Sequence, residues 1–131
     1  MGSRSTARRL AMQAIFQSEV SRIDVSESLL NLFDEEDLPK ATREFAEHLA
    51  MKITENMEDV DAKIIKYAKG WSLDRINEVD KSILRLALYE LMYEKETPKA
   101  VVINEALELA KKYSGDESAG FINGILGAAV V

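Results

Sequence analysis

The 131-residue chain has no cysteine. Disulfides, thiolate nucleophiles and cysteine-based zinc sites are therefore excluded. A single histidine, His48, leaves no ligand set for a transition metal and reads as an ordinary surface or boundary residue. Only two prolines occur, Pro39 and Pro98, and both suit connections between helices. No apolar run approaches the ~20 residues of a membrane span, and no signal-peptide pattern opens the chain, so the expected location is the cytoplasm. The phosphate-cradling P-loop, the dinucleotide-binding glycine pattern and the H-E-x-x-H metal motif are all missing. Asp34-Glu35-Glu36-Asp37 lacks the spacing and the glycine of a calcium loop and reads as a solvated turn. No carboxylate pair is singled out for acid–base work. The expectation is a binding protein with no catalytic group, no cofactor and no metal.

What is present is one domain's worth of globular sequence, 47% hydrophobic and 31% charged. The net charge is −6, unevenly spread. Residues 1–18 carry Arg4, Arg8 and Arg9 and no acid, whereas residues 19–61 hold thirteen acids against four bases. An acidic protein is a poor general binder of nucleic acid, because its field opposes the encounter with phosphates. A short basic end on an acidic body permits something narrower. It can touch one stretch of nucleic acid while the acidic surface receives a basic protein.

Apolar residues recur with helical period almost throughout, and no stretch alternates as a strand would. Seven helices are predicted, near residues 5–20, 26–33, 41–56, 60–69, 77–94, 100–113 and 118–129. In the fifth, Ile83, Leu84, Ala87, Leu88 and Leu91 form one broad face, with Leu86, Tyr89, Met92 and Tyr93 on the other side. A helix apolar all round is buried, so the others must pack about it on more than one side, as in an orthogonal or double bundle.

Two helices carry candidate binding faces. On the first, Ala7, Leu10, Ala11 and Ala14 form the inward stripe, and the reverse carries Arg9 and Phe16, about 20° apart in projection. Arg8 and Met12 flank them, and Arg4 precedes them. An outward ring among arginines is what recognition of single-stranded RNA uses, the guanidiniums holding phosphates while the ring stacks a base. The competing reading is that Phe16 packs under a neighbouring helix and the arginines only keep that end soluble. On the seventh helix, Ile122, Ile125, Leu126 and Ala129 share one side, with Phe121 at its edge. Gly120, Gly124 and Gly127 cluster opposite, near Asn123. Three glycines cost a helix roughly 1 kcal/mol each against alanine, so the bare face must serve something. It serves either close approach of a neighbouring helix or approach of an RNA backbone, with Asn123 and Ser118 as hydrogen-bonding groups.

The run from Val79 to Leu91, Val-Asp-Lys-Ser-Ile-Leu-Arg-Leu-Ala-Leu-Tyr-Glu-Leu, resembles the central helix of the bacterial NusB family of transcription antitermination factors. The runs Val102–Lys111 and Phe121–Leu126 resemble the same family, as does the arginine-containing opening Ala7–Gln17. Together the resemblance covers about residues 4–130. It implies an all-α fold of about seven helices in two small bundles packed around a central buried helix. The whole of 1–131 is then a single NusB-like RNA-binding domain, its N-terminal bundle at about 5–70 and its C-terminal bundle at about 72–131.

The function implied is transcription antitermination. The chain would bind boxA-type single-stranded RNA of nascent ribosomal transcripts together with the small-subunit ribosomal protein NusE, and act on the RNA polymerase elongation complex with other Nus factors. By position, the RNA side would use Arg4, Arg8, Arg9 and Phe16, with Glu117, Ser118, Phe121 and Asn123. Asp80, with Arg85 nearby, would face the protein partner. Neither an enzyme nor a membrane protein is implied. This chain has three leader arginines where the family often has more, Phe16 where tyrosine is common, and Glu117 where aspartate is common in some members. Two other readings are an RNA-engaging NusB-like module of an RNA methyltransferase, and a structural helical adaptor or homodimer that uses the glycine face.

Overall fold

A computed structural model describes residues 2–131. The expected domain range 1–131 opens on Met1, which lies outside the described residues. Seven α-helices and one short 3-10 turn form the chain, with no strand among the described residues. They are α1 (Ser3–Ser21), α2 (Val25–Asp34), α3 (Lys40–Glu55), α4 (Met57–Tyr67), the turn Leu73–Arg75, α5 (Glu78–Tyr93), α6 (Lys99–Tyr113) and α7 (Asp116–Ala129). None of these helices is long and apolar enough to cross a membrane.

The chain divides into two compact units, the first ending at Glu55 and the second spanning Asn56–Val131. In the first, α1, α2 and α3 pack pairwise. Val25, Leu29 and Leu32 recur at helical spacing on α2 and are buried, as are Ala46, Leu49, Ala50 and Ile53 on α3. Ala7, Leu10, Ala11 and Ala14 of α1 are all fully buried, as their stripe predicts. Alanine at several of these positions keeps the layer between helices thin, and the side chains at a contact set the interaxial distance.

The division falls at Glu55/Asn56 rather than near residues 70–72, because α4 packs on α5 and α7. Its buried residues Val60 and Ile64, with Ala68 just beyond its end, turn toward those helices, while Ile65 stays 55% exposed. Gly70, at φ +85°, provides the left-handed backbone that turns the chain out of α4.

Every residue of α5 from Asp80 to Glu90 is buried. It packs against α4, α6 and α7, which is how a helix without a polar face is accommodated. Its start is fixed by Asn77, whose side-chain oxygen accepts from the Asp80 backbone N–H at 2.9 Å. Burial also takes in charged residues that periodicity alone places outside. Arg85 donates twice to Asp61 of α4, at 2.8 and 2.9 Å, and Lys81 pairs with Glu78 at 3.0 Å.

Candidate nucleic-acid interface

In the first unit two of the three arginines of α1 gather around a different ring from the one the helical projection suggests. The Arg4 guanidinium carbon lies 3.9 Å from the centre of the Phe45 ring, and that of Arg8 lies 6.0 Å away. Arg4 is exposed, but Arg8 is 3% exposed. Its long apolar stem is buried, and the π face of Phe45 receives part of its charge. Arg8 therefore acts under the surface, a correction to its expected place among the phosphate-facing groups. Arg9 is partly exposed and donates to Gln13 at 3.0 Å and to Glu36 at 2.8 Å. Glu36 belongs to the acidic turn after α2, so that turn supplies Arg9 with a local anion. Phe16, on the same side of α1 as Arg9, is half-buried.

The second unit holds a cavity of about 520 Å³. Trp71 and Phe121 meet edge-to-face in its wall, ring centres 5.3 Å apart and planes at 62°. Arg75 stands over Trp71, with its guanidinium carbon 5.5 Å from the ring. Glu117 and Ser118, from the first turns of α7, complete the rim. Thus Glu117, Ser118 and Phe121 are brought together as expected, and Trp71 and Arg75 join them. Gly115, at φ +135°, begins α7 and sets the direction in which these side chains leave the helix.

Asp80 forms the floor of this cavity instead of a protein-facing surface. It is 4% exposed and accepts from Ser114 at 2.8 Å, Ser118 at 2.9 Å and the Asn77 amide at 3.1 Å. Its carboxylate ties the start of α5 to the end of α6 and the start of α7, holding the rim in place. Arg85, also 4% exposed, points to Asp61. Both residues expected to face the protein partner are thus almost fully buried and carry hydrogen bonds within the second unit. The helical period of α5 put them beside apolar neighbours without revealing that α4, α6 and α7 close over every side.

Asn123 is exposed but sits about 200° around α7 from Phe121, with the glycines rather than the cavity. A Cβ on Gly120, Gly124 or Gly127 would meet nothing within 4 Å. No helix among the described residues uses that face for close approach, and it stands open. No group of three or more histidine and acidic residues that could hold a metal ion occurs among the described residues.

Trp71 and Arg75 were missed because they lie in the connection between α4 and α5, outside any periodic face. The available signal was the sole tryptophan placed next to Gly70 and Ser72, in a segment too polar to bury it. The place of Phe45 as a ring under two arginines depends on how α1 crosses α3, which the period of neither helix reveals.

Comparison with known proteins bears on what these surfaces meet. The sequence profile of the NusB family matches residues 5–130. A transcription antitermination protein NusB from Acetivibrio thermocellus is 45% identical over 130 residues, covering 99% of this chain and 89% of that one. The structure of T. maritima NusB superposes with a TM-score of 0.89 at 40% identity, over 95% of this chain and 88% of that chain. A structure of antitermination factors NusB and NusE in complex with double-stranded RNA matches with a TM-score of 0.90 at 27% identity, over 96% and 94% of the respective chains.

Proposed function

The chain belongs to the NusB family, and on that premise we propose that it is a transcription antitermination factor that binds boxA-type single-stranded RNA of nascent ribosomal transcripts. It binds together with the ribosomal protein NusE and acts, with other Nus factors, on the RNA polymerase elongation complex in the cytoplasm. The work is recognition and delivery, with no covalent chemistry. The observation that carries the reading is the cavity bordered by Trp71 and Phe121, with Arg75 beside one ring and Glu117 and Ser118 at the rim. Unpaired bases expose the π faces that such rings stack, and paired bases do not. Support for NusE and for RNA as partners, though not for an unpaired strand, comes from the solved relative described with NusE and double-stranded RNA.

In this reading Arg4, Arg9 and Arg75 contact phosphates, Phe16, Trp71 and Phe121 offer stacking faces, and Glu117 and Ser118 hydrogen-bond to base edges. Arg8 supports Phe45 and Arg4 from below. Asn123, with the glycine face, is a backbone contact. About three phosphate contacts on single-stranded RNA give a salt slope near −2, which is weak binding for the chain alone. NusE, as a basic protein, is drawn to the surface carboxylates, and its charge extends the cationic track, so each ligand favours the other.

The test is a titration of labelled boxA-type single-stranded RNA at matched salt, with and without NusE. Affinity is expected to rise when NusE is present, and equal affinities overturn the coupling. A second measurement probes the ion pair that holds Arg9. Glu36→Gln removes the competitor for its guanidinium, so RNA affinity is expected to increase about threefold, within what an exposed pair is worth. An unchanged affinity removes Arg9 from the RNA contacts.

A further inference from the structure

A second surface lies on the first unit, among residues the RNA reading does not use. Ser26, Leu30 and Phe33 follow one another at helical spacing along α2, and with Leu29 and Glu47 they line a hollow of about 160 Å³. Along α3, Glu44, Glu47, His48, Met51 and Lys52 line a second hollow of about 400 Å³, with Glu47 common to both and Lys52 the one base against two carboxylates. The Ser26 hydroxyl lies 3.6 Å from the Met51 sulfur and joins the two helices. Leu30 is 63% exposed in this groove. A single exposed leucine is ordinary, but one placed over an apolar hollow between two helices is a point of attachment.

The setting limits the occupant. From Asp24 to Glu55 the chain carries nine acidic residues against three basic ones, a net charge of −6. A second copy would set these carboxylates against their own kind. RNA and anionic lipid surfaces are repelled for the same reason. A groove between two helices, apolar at Leu30 and Phe33 and flanked by Glu44 and Glu47, is the kind of surface into which an amphipathic helix lays its own apolar stripe. We propose that this groove docks a basic amphipathic helix of a protein partner, with its apolar stripe on Leu30 and Phe33 and its lysines or arginines against Glu44 and Glu47. The groove shares no residue with the cavity at Trp71 or with Arg4, Arg9 and Phe16, so its test has a readout of its own, apart from RNA binding.

The probe is an 18-residue synthetic helix of leucine and lysine with leucine at i, i+3, i+4 and i+7, compared with a scrambled peptide of the same composition. Fluorescence anisotropy with the full chain is expected to show the striped peptide binding about tenfold more tightly than the scramble. Leu30→Asp should remove about tenfold of that affinity, the effect of losing one buried leucine. Glu47→Lys should weaken it further at low salt than at high salt. Circular-dichroism melts that match the parent's report that both variants are folded. Equal binding of striped and scrambled peptides overturns the proposal, as does a Leu30→Asp variant that binds like the parent. Self-association of the parent that Leu30→Asp abolishes would assign the groove to a second copy and overturn it too.

Discussion

Alanine in place of both Trp71 and Phe121 is expected to lower affinity for unpaired boxA-type RNA by about a hundredfold. Base–aromatic stacking is worth roughly 1–3 kcal/mol per base, so losing two rings reaches about 2.8 kcal/mol, the equivalent of that factor. The two rings meet edge-to-face, so each single variant also disturbs the surviving ring, and the pair is expected to be non-additive. Folding should be little affected at position 71, since Trp71 is 44% exposed. Anisotropy titrations at fixed salt, accompanied by circular-dichroism melts, separate the two effects. Arg75→Ala supplies an independent check: it should reduce the salt slope by about 0.7, the share of one phosphate on single-stranded RNA. A double variant within twofold of the parent would remove the stacking site from the proposal.

The largest expected loss of stability follows from Asp61→Ala. Asp61 accepts two hydrogen bonds from Arg85, whose side chain is 4% exposed while that of Asp61 is 18% exposed. Removing the carboxylate leaves a cation inside the second unit without the anion that faces it. Breaking a buried pair in this one-sided way costs about 3–5 kcal/mol. A thermal midpoint lower by about 10 °C is the corresponding shift for a chain of this length. Replacing both partners together, Asp61→Leu with Arg85→Met, should recover most of the loss, because similar-sized apolar residues carry no desolvation penalty. Midpoints that fall equally in the single and double variants would show that the pair acts through something other than compensated charge.

The burial of Asp80, like that of Arg85, is invisible from helix α5 alone. Asp80 and Arg85 lie in the run from Val79 to Leu91 that resembles the NusB family, and it was that resemblance, by position, that placed them toward a protein partner. A charged residue beside apolar neighbours on one helix reads the same whether it borders solvent or is enclosed by three other helices. Only the packing of α4, α6 and α7 shows that Asp80 meets Ser114 and Ser118, and that Arg85 meets Asp61. The glycine face of α7 shows the converse. Its composition allowed either a close neighbour or an RNA backbone, and the arrangement around it leaves it open.

Helical period, proline placement and the burial of an all-apolar fifth segment follow from local rules, because a helix's faces are defined by its own axis. The sequence alone therefore determined the all-α class, the seven helices to within a few residues, and the inward stripe of α1. Tertiary structure alone decided which faces are covered. It set Trp71 against Phe121 across fifty residues of chain, placed Arg4 and Arg8 over Phe45 rather than Phe16, put α4 in the second unit, and drew Asp80 inside. Such contacts depend on the crossing of helices remote in sequence, about which the period of any single helix carries no information.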